Sequence, residues 1–153
     1  MSVNDSLALN PITAISPIDG RYNSKTLELS RYFSEFALMR YRVLVEIRWL
    51  QKLAAHPQIN EATEINVEGL AFLDQTINEF SLQDAERIKE IEATTNHDVK
   101  AVEYFIKEKV GDNEHLKNQM EFVHFACTSE DINNLAYALM LKNGRDKVVV
   151  AHM

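Results

Sequence analysis

After Lys25 the apolar residues recur every three or four positions, the period of helices that turn one face inward. From Ser34 to Ala55, the residues Phe36, Met39, Val43, Ile47, Leu50 and Ala54 form one stripe, while Arg40, Arg42, Glu46, Arg48 and Lys52 fill other faces. The spacing predicts one long helix that ends at Pro57, where the ring removes a backbone donor. Beyond a polar loop at 60–64, the residues Val67, Leu70, Leu73, Ile77 and Phe80 predict a second helix. Ser81 with Asp84 reads as a capping box for a third, and Thr95 with Asp98 repeats the device ahead of Val99, Val102, Ile106 and Val110. Leu116, Met120 and Val123 suggest a short fifth helix. Thr128 with Asp131 opens a sixth, which carries Ile132, Leu135 and Leu139 inward until Gly144 stops or interrupts it. No alternating run of useful length competes, although the stretch 148–151 is ambiguous. The expected fold class is all-α.

Composition narrows the possibilities. The 153 residues, 46% of them hydrophobic, suffice for a buried core, and the 25% of charged residues is an ordinary globular share; only the first dozen residues lack a pattern. A net charge of −7 disfavours non-specific nucleic-acid binding, which calls for a basic surface, yet leaves room for an anionic small molecule held by local donors. One cysteine, Cys127, forms no intramolecular disulfide and suits a reducing cytoplasm. Neither a basic leader nor an apolar stretch of bilayer length is present, so the expectation is a cytoplasmic chain with no membrane partner. The four glycines, Gly20, Gly69, Gly111 and Gly144, are too scattered for a dinucleotide fingerprint or a P-loop.

Three polar stretches depart from the amphipathic pattern. In Ser16–Tyr22, "SPIDGRY", a Pro17/Gly20 turn projects Arg21 and Tyr22, a cation beside a ring that suits a phosphate and a base; the alternative is a plain surface turn. In "TTNHDVKA", Asn96, His97 and Asp98 stand at a helix start, where free N–H groups and a partial positive charge favour an anion and His97 could exchange a proton. Capping alone is the competing explanation. In "HFACTSEDINN", Thr128 and Ser129 carry hydroxyls beside a helix N-terminus, with Asn133 and Asn134 one turn further on. His124 and Cys127 lack a second pair at ligand spacing, so no metal is expected there, and Cys127 reads as a small buried side chain.

"SPIDGRY", "WLQKLAAHP", "TTNHDVKAVEYFIKEK" and "HFACTSEDINNLAYALMLK" together resemble the N-terminal part of the bacterial adenylosuccinate lyase family, within the fumarase/aspartase superfamily. The likeness runs from about Asn10 nearly to the end. It implies an N-terminal helical domain over residues 1–111 and the beginning of a long-helix bundle over 112–153, the bundle assembling a homotetramer whose sites draw on several subunits. It implies β-elimination of fumarate from adenylosuccinate, leaving AMP, and from the related succinyl-carboxamide ribotide, without cofactor or metal. By the same resemblance Arg21 and Tyr22 contact nucleotide, Asn96, His97 and Asp98 line the substrate site with His97 a participant in proton transfer, and Thr128 and Ser129 hold substrate.

Elimination needs a base, donors for the developing carboxylate charge, and an acid for the departing nitrogen. The family places its base on an S-S-x-M-P-x-K-x-N loop and its acid in a T-H-x-Q segment, and neither pattern occurs in this sequence. The expectation is a truncated chain that is inactive alone and leaves apolar surface such as Leu135, Leu139 and Met140 without partners. The competing reading is a short helical module that binds a nucleotide or a protein without catalysis.

Overall fold

A computed structural model describes residues 10–153 and, among them, helices and turns with no strand. The unpatterned reading of the first dozen residues lies, through residue 9, outside the described residues. Two short helices, α1 (Asn23–Thr26) and α2 (Ser30–Phe33), flank a 3-10 turn and lead to Ser34. There the chain is extended, and the Ser34 hydroxyl accepts the Ala37 N–H to start α3 (Glu35–Ala54). At 20 residues α3 is about 30 Å long and forms the axis of the molecule. Around it lie α4 (Val67–Asn78), α5 (Leu82–Thr95), α6 (Asp98–Gly111) and α7 (Ser129–Gly144).

Three apolar clusters explain that arrangement. The largest joins Val43, Ile47 and Leu50 of α3 to Leu73, Ile88, Phe105 and their neighbours on α4, α5 and α6. Burying each such side chain contributes about 1.5–3 kcal/mol relative to exposure. Tyr41 packs on Ala136 and Met140 of α7, and Val45 packs on Val99 and Ile132, which draws the starts of α6 and α7 to the same side of α3. So α3 is covered on more faces than one stripe requires. As a result Arg42 and Glu46, expected on outer faces, are only 4% and 0% exposed.

The boxes at Ser81/Asp84 and Thr128/Asp131 both form as expected. Thr95/Asp98 does not: α5 runs through Thr95, Asn96 turns left-handed at φ 51° to end it, and His97 becomes the N-cap of α6. A residue that completes one helix cannot also occupy the extended conformation that begins the next. The fifth helix is a 3-10 turn, Lys117–Phe122. α7 is interrupted at Gly144, as expected; the glycine's backbone is still helical, and the chain continues through a π-turn (Arg145–Val149) and a 3-10 turn that take in the ambiguous 148–151. A Cβ at Gly144 would lie 2.6 Å from the Phe33 ring, so the glycine answers a close helix approach. Leu135 points outward, 57% exposed, while Met140 is buried and Leu139 half-buried. Val67 and Leu70 also lie on the exposed side of α4.

Candidate functional site

His97 caps α6 through its ring: Nδ1 accepts the Lys100 N–H at 3.1 Å. An accepting Nδ1 carries no proton, so the neutral ring bears its proton on Nε2, and with the side chain 51% exposed this donor is open to a ligand. Asn96, left-handed and exposed, donates its backbone N–H to Glu92 at 2.8 Å and leaves its amide without a partner among the described residues. Asp98 is committed differently. Its Oδ1 accepts the Val99 N–H at 2.8 Å, and its Oδ2 meets Arg42 Nη2 at 2.6 Å. Burial alone would raise its carboxyl, but the Val99 bond and the Arg42 guanidinium outweigh that and hold it below its ordinary range. The cap thus uses up N–H groups that the sequence reading had offered to an anion.

Arg42 is the residue that the sequence reading missed. From inside α3 it donates through Nη2 to Asp98 and through Nε to Asn133 Oδ1 at 2.9 Å, linking the start of α6 to the first turns of α7. Asn133 in turn donates to Glu130 at 3.2 Å. This explains an asparagine inside a helix, where it is a mediocre former. The usable signal was the breadth of α3's apolar surface: Tyr41, Leu44 and Val45 lie off the main stripe, so a polar residue among them faces protein.

At α7, Thr128 is locked into its box, its hydroxyl donating to Asp131 Oδ2 at 2.8 Å. That bond, with the Thr128 backbone N–H, holds Asp131 below its usual range. Among the described residues Ser129 has no such partner, so its hydroxyl and the first free N–H groups of α7 are the donors available there. Cys127 is half-buried beside the loop, and burial, with Glu46 and Asp131 nearby, raises its thiol, the opposite of what a nucleophile requires. Among the described residues no group of three or more metal-ligating side chains forms, and no helix is long and apolar enough to cross a membrane. A groove of about 600 Å³ runs between α3 and α7, lined by Leu44, Val45, Trp49, Cys127, Ile132 and Leu139 among others.

Arg21 and Tyr22 stand apart. The guanidinium lies 4.6 Å over the Tyr22 ring, and the turn is held by its own backbone bonds, Gly20 N–H to Ser16 and Tyr22 N–H to Pro17. The segment that follows meets the opposite end of α7, with Phe33 against Gly144 and Glu28 3.3 Å from His152. Through Arg42 the structure therefore ties Asp98 to Asn133, about one turn beyond Thr128 and Ser129, and among the described residues it does not join Arg21 or Tyr22 to them.

Residues 20–153 match a protein family described as Lyase. The chain belongs to this family. Named relatives agree: this lyase-family chain is 55% identical over 146 residues to an adenylosuccinate lyase of Escherichia coli strain K12, covering 95% of the chain and 32% of the relative. It is 58% identical over 144 residues to the adenylosuccinate lyase of Vibrio cholerae and 56% identical over 144 residues to that of Haemophilus influenzae, covering 94% of the chain and 32% of each relative. The chain spans about a third of the length of the curated relatives it matches, in keeping with an N-terminal portion.

Proposed function

We propose that this chain is the N-terminal part of an adenylosuccinate lyase, acting in purine nucleotide synthesis in the cytoplasm as part of a homotetramer. The reaction is β-elimination: a C–N bond of adenylosuccinate breaks, giving AMP and fumarate, and the succinyl-carboxamide ribotide is cleaved in the same sense. On this reading 1–111 is the N-terminal helical domain and 112–153 the entry to the bundle. No metal or cofactor takes part.

The observation that carries the proposal is the Arg42 link, which holds two polar helix starts side by side. A substrate site needs its segments held in register, and a buried cation bonded to acceptors on two helices supplies that. His97 then offers Nε2–H to an anionic oxygen of the substrate. Ser129 and the open N–H groups of α7 supply donors for a substrate carboxylate or phosphate, with Thr128 and Asp98 holding the frame. Asn96 presents an uncommitted amide beside His97. Arg21 and Tyr22 form a nucleotide contact at a separate point, which suits a site shared between subunits. The base and the acid come from parts of the enzyme that this sequence does not contain. The competing non-catalytic module is not favoured by relatives named as lyases.

A chimera tests the reading: residues 10–153 replace the matching segment of the Escherichia coli relative, and adenylosuccinate cleavage is followed by absorbance. Activity comparable to the parent supports it. A folded, tetrameric but inactive chimera contradicts it.

A further inference from the structure

Glu46 and His124 have no part in the proposed function, yet theirs is the most deeply placed acid–base contact among the described residues. Glu46 lies one turn beyond Arg42 on α3, fully buried, with Oε1 2.5 Å from His124 Nδ1 and with Oε2 lacking any hydrogen-bond partner. Such a carboxylate is costly to keep, because burial raises it and only His124 offsets the cost. Its partner sits in an unusual loop. His124 and Ala126 both adopt left-handed backbone, at φ 62° and 58°, which residues with side chains rarely do unless something holds them. Two α3 side chains on one face do so: Glu46 grips the His124 ring, and Trp49 Nε1 donates to the Phe125 carbonyl at 2.8 Å. The loop they hold runs directly into Thr128 and Ser129.

We infer that Glu46 is a positioning residue that keeps the His124 proton on Nδ1 and thereby leaves Nε2 as an unprotonated hydrogen-bond acceptor at the edge of the α7 start. While Glu46 is ionised it only accepts, so the ring donates to it. Nε2 has no hydrogen-bond partner among the described residues, and the side chain is partly exposed. The other charged or titratable groups around the pair are Glu103 from α6, Cys127 from the loop and Asp131 from α7. No hydrogen bond from any of them reaches the ring. The result is the opposite tautomer to His97, whose Nδ1 accepts and whose Nε2 donates. One helix start presents a donor and the approach to the other presents an acceptor. Relevance to substrate rests on the proposed lyase site; the tautomer does not.

The test uses the chain labelled with 15N-histidine, with long-range 1H–15N correlations recorded where the rings are neutral and the His124 signals assigned by their loss in His124→Gln. The expected spectrum shows His124 protonated at Nδ1 in the wild type and in Glu46→Gln, whose amide oxygen still accepts, and at Nε2 in Glu46→Leu. A wild-type ring protonated at Nε2, or a Glu46→Leu spectrum like the wild type, overturns the inference. Should Glu46→Leu fail to fold, the wild-type spectrum decides alone. In the chimera, Glu46→Leu should lower kcat by about tenfold or more with assembly unchanged, because the His124 ring loses the acceptor that fixes its proton. Glu46→Gln should restore most of the turnover, whereas unchanged kcat in Glu46→Leu overturns the positioning role. An inactive parent chimera would count against the lyase proposal and leave the spectroscopic result standing.

Discussion

The α6 and α7 starts and the Arg21–Tyr22 turn were singled out for the same kind of reason, polar residues at a break in the helical pattern, but they are built in opposite ways. The first region is assembled over long range: a buried guanidinium from α3 ties residues 56 and 91 positions away in sequence. The second is local, a turn stitched by its own backbone with an arginine resting on its neighbouring ring. One half is preorganised by the fold of this chain, and the other is a turn that holds itself at the surface. The lesson is that polar residues at turns differ in what the core invests in holding them.

The strongest way to break this comparison is Arg42→Ala. It leaves Asn133 and the half-exposed Asp98 without their shared partner and opens a gap where the buried guanidinium stood, and unfolding in urea followed by circular dichroism should show a loss of about 2 kcal/mol. Arg42→Lys should recover only part, since one ammonium cannot serve both acceptors in the geometry of a guanidinium fork. A loss below about 1 kcal/mol in Arg42→Ala would place the link among ordinary surface pairs.

Next in size comes the contrast between Thr128→Ala and Arg21→Ala. Removing the α7 cap should cost about 1 kcal/mol, because two bonds of the box disappear. Removing an exposed arginine from a self-contained turn should stay within about 0.5 kcal/mol. Equal losses by thermal melting would erase the distinction between the two regions.

Much of this was legible in advance. The long helix read from Ser34 to Ala55 folds as Glu35–Ala54 with Ser34 as its cap, because a single stripe and a proline leave few other solutions. Two of three capping boxes formed where the residue pair announced them. Thr95/Asp98 failed although it shows the same pair, since the pattern does not say whether the preceding helix has already claimed its first residue. Arg42 and Glu46 were hidden because their partners lie far along the chain, and periodicity assigns charged residues to the outside by default. The polar segments themselves were found; what joins them was not, and the proton positions on His97 and His124 follow only from what each Nδ1 meets in space.

The smallest effect concerns pH. Asp98 has a folded-state value below its ordinary 3.8, so its pairing adds stability that is present above that value and is lost as pH falls through the lower, folded one. Thermal melts between about pH 5 and pH 3 should therefore show a smaller acid loss for Asp98→Asn than for the wild type, with the other carboxyls held low, among them Asp74, Asp84, Glu103, Glu108 and Asp131, contributing to the acid loss that remains. Identical slopes would mean that the Arg42–Asp98 pair contributes nothing to acid stability.

The most direct test of the central claim is turnover of adenylosuccinate by the chimera carrying His97→Ala, read beside its helical content and its assembly state. The account predicts a fall in kcat of about a hundredfold with helicity and assembly unchanged, because the open Nε2–H is lost from a frame that Arg42 still holds. Near-parental turnover would contradict it and remove His97 from the site.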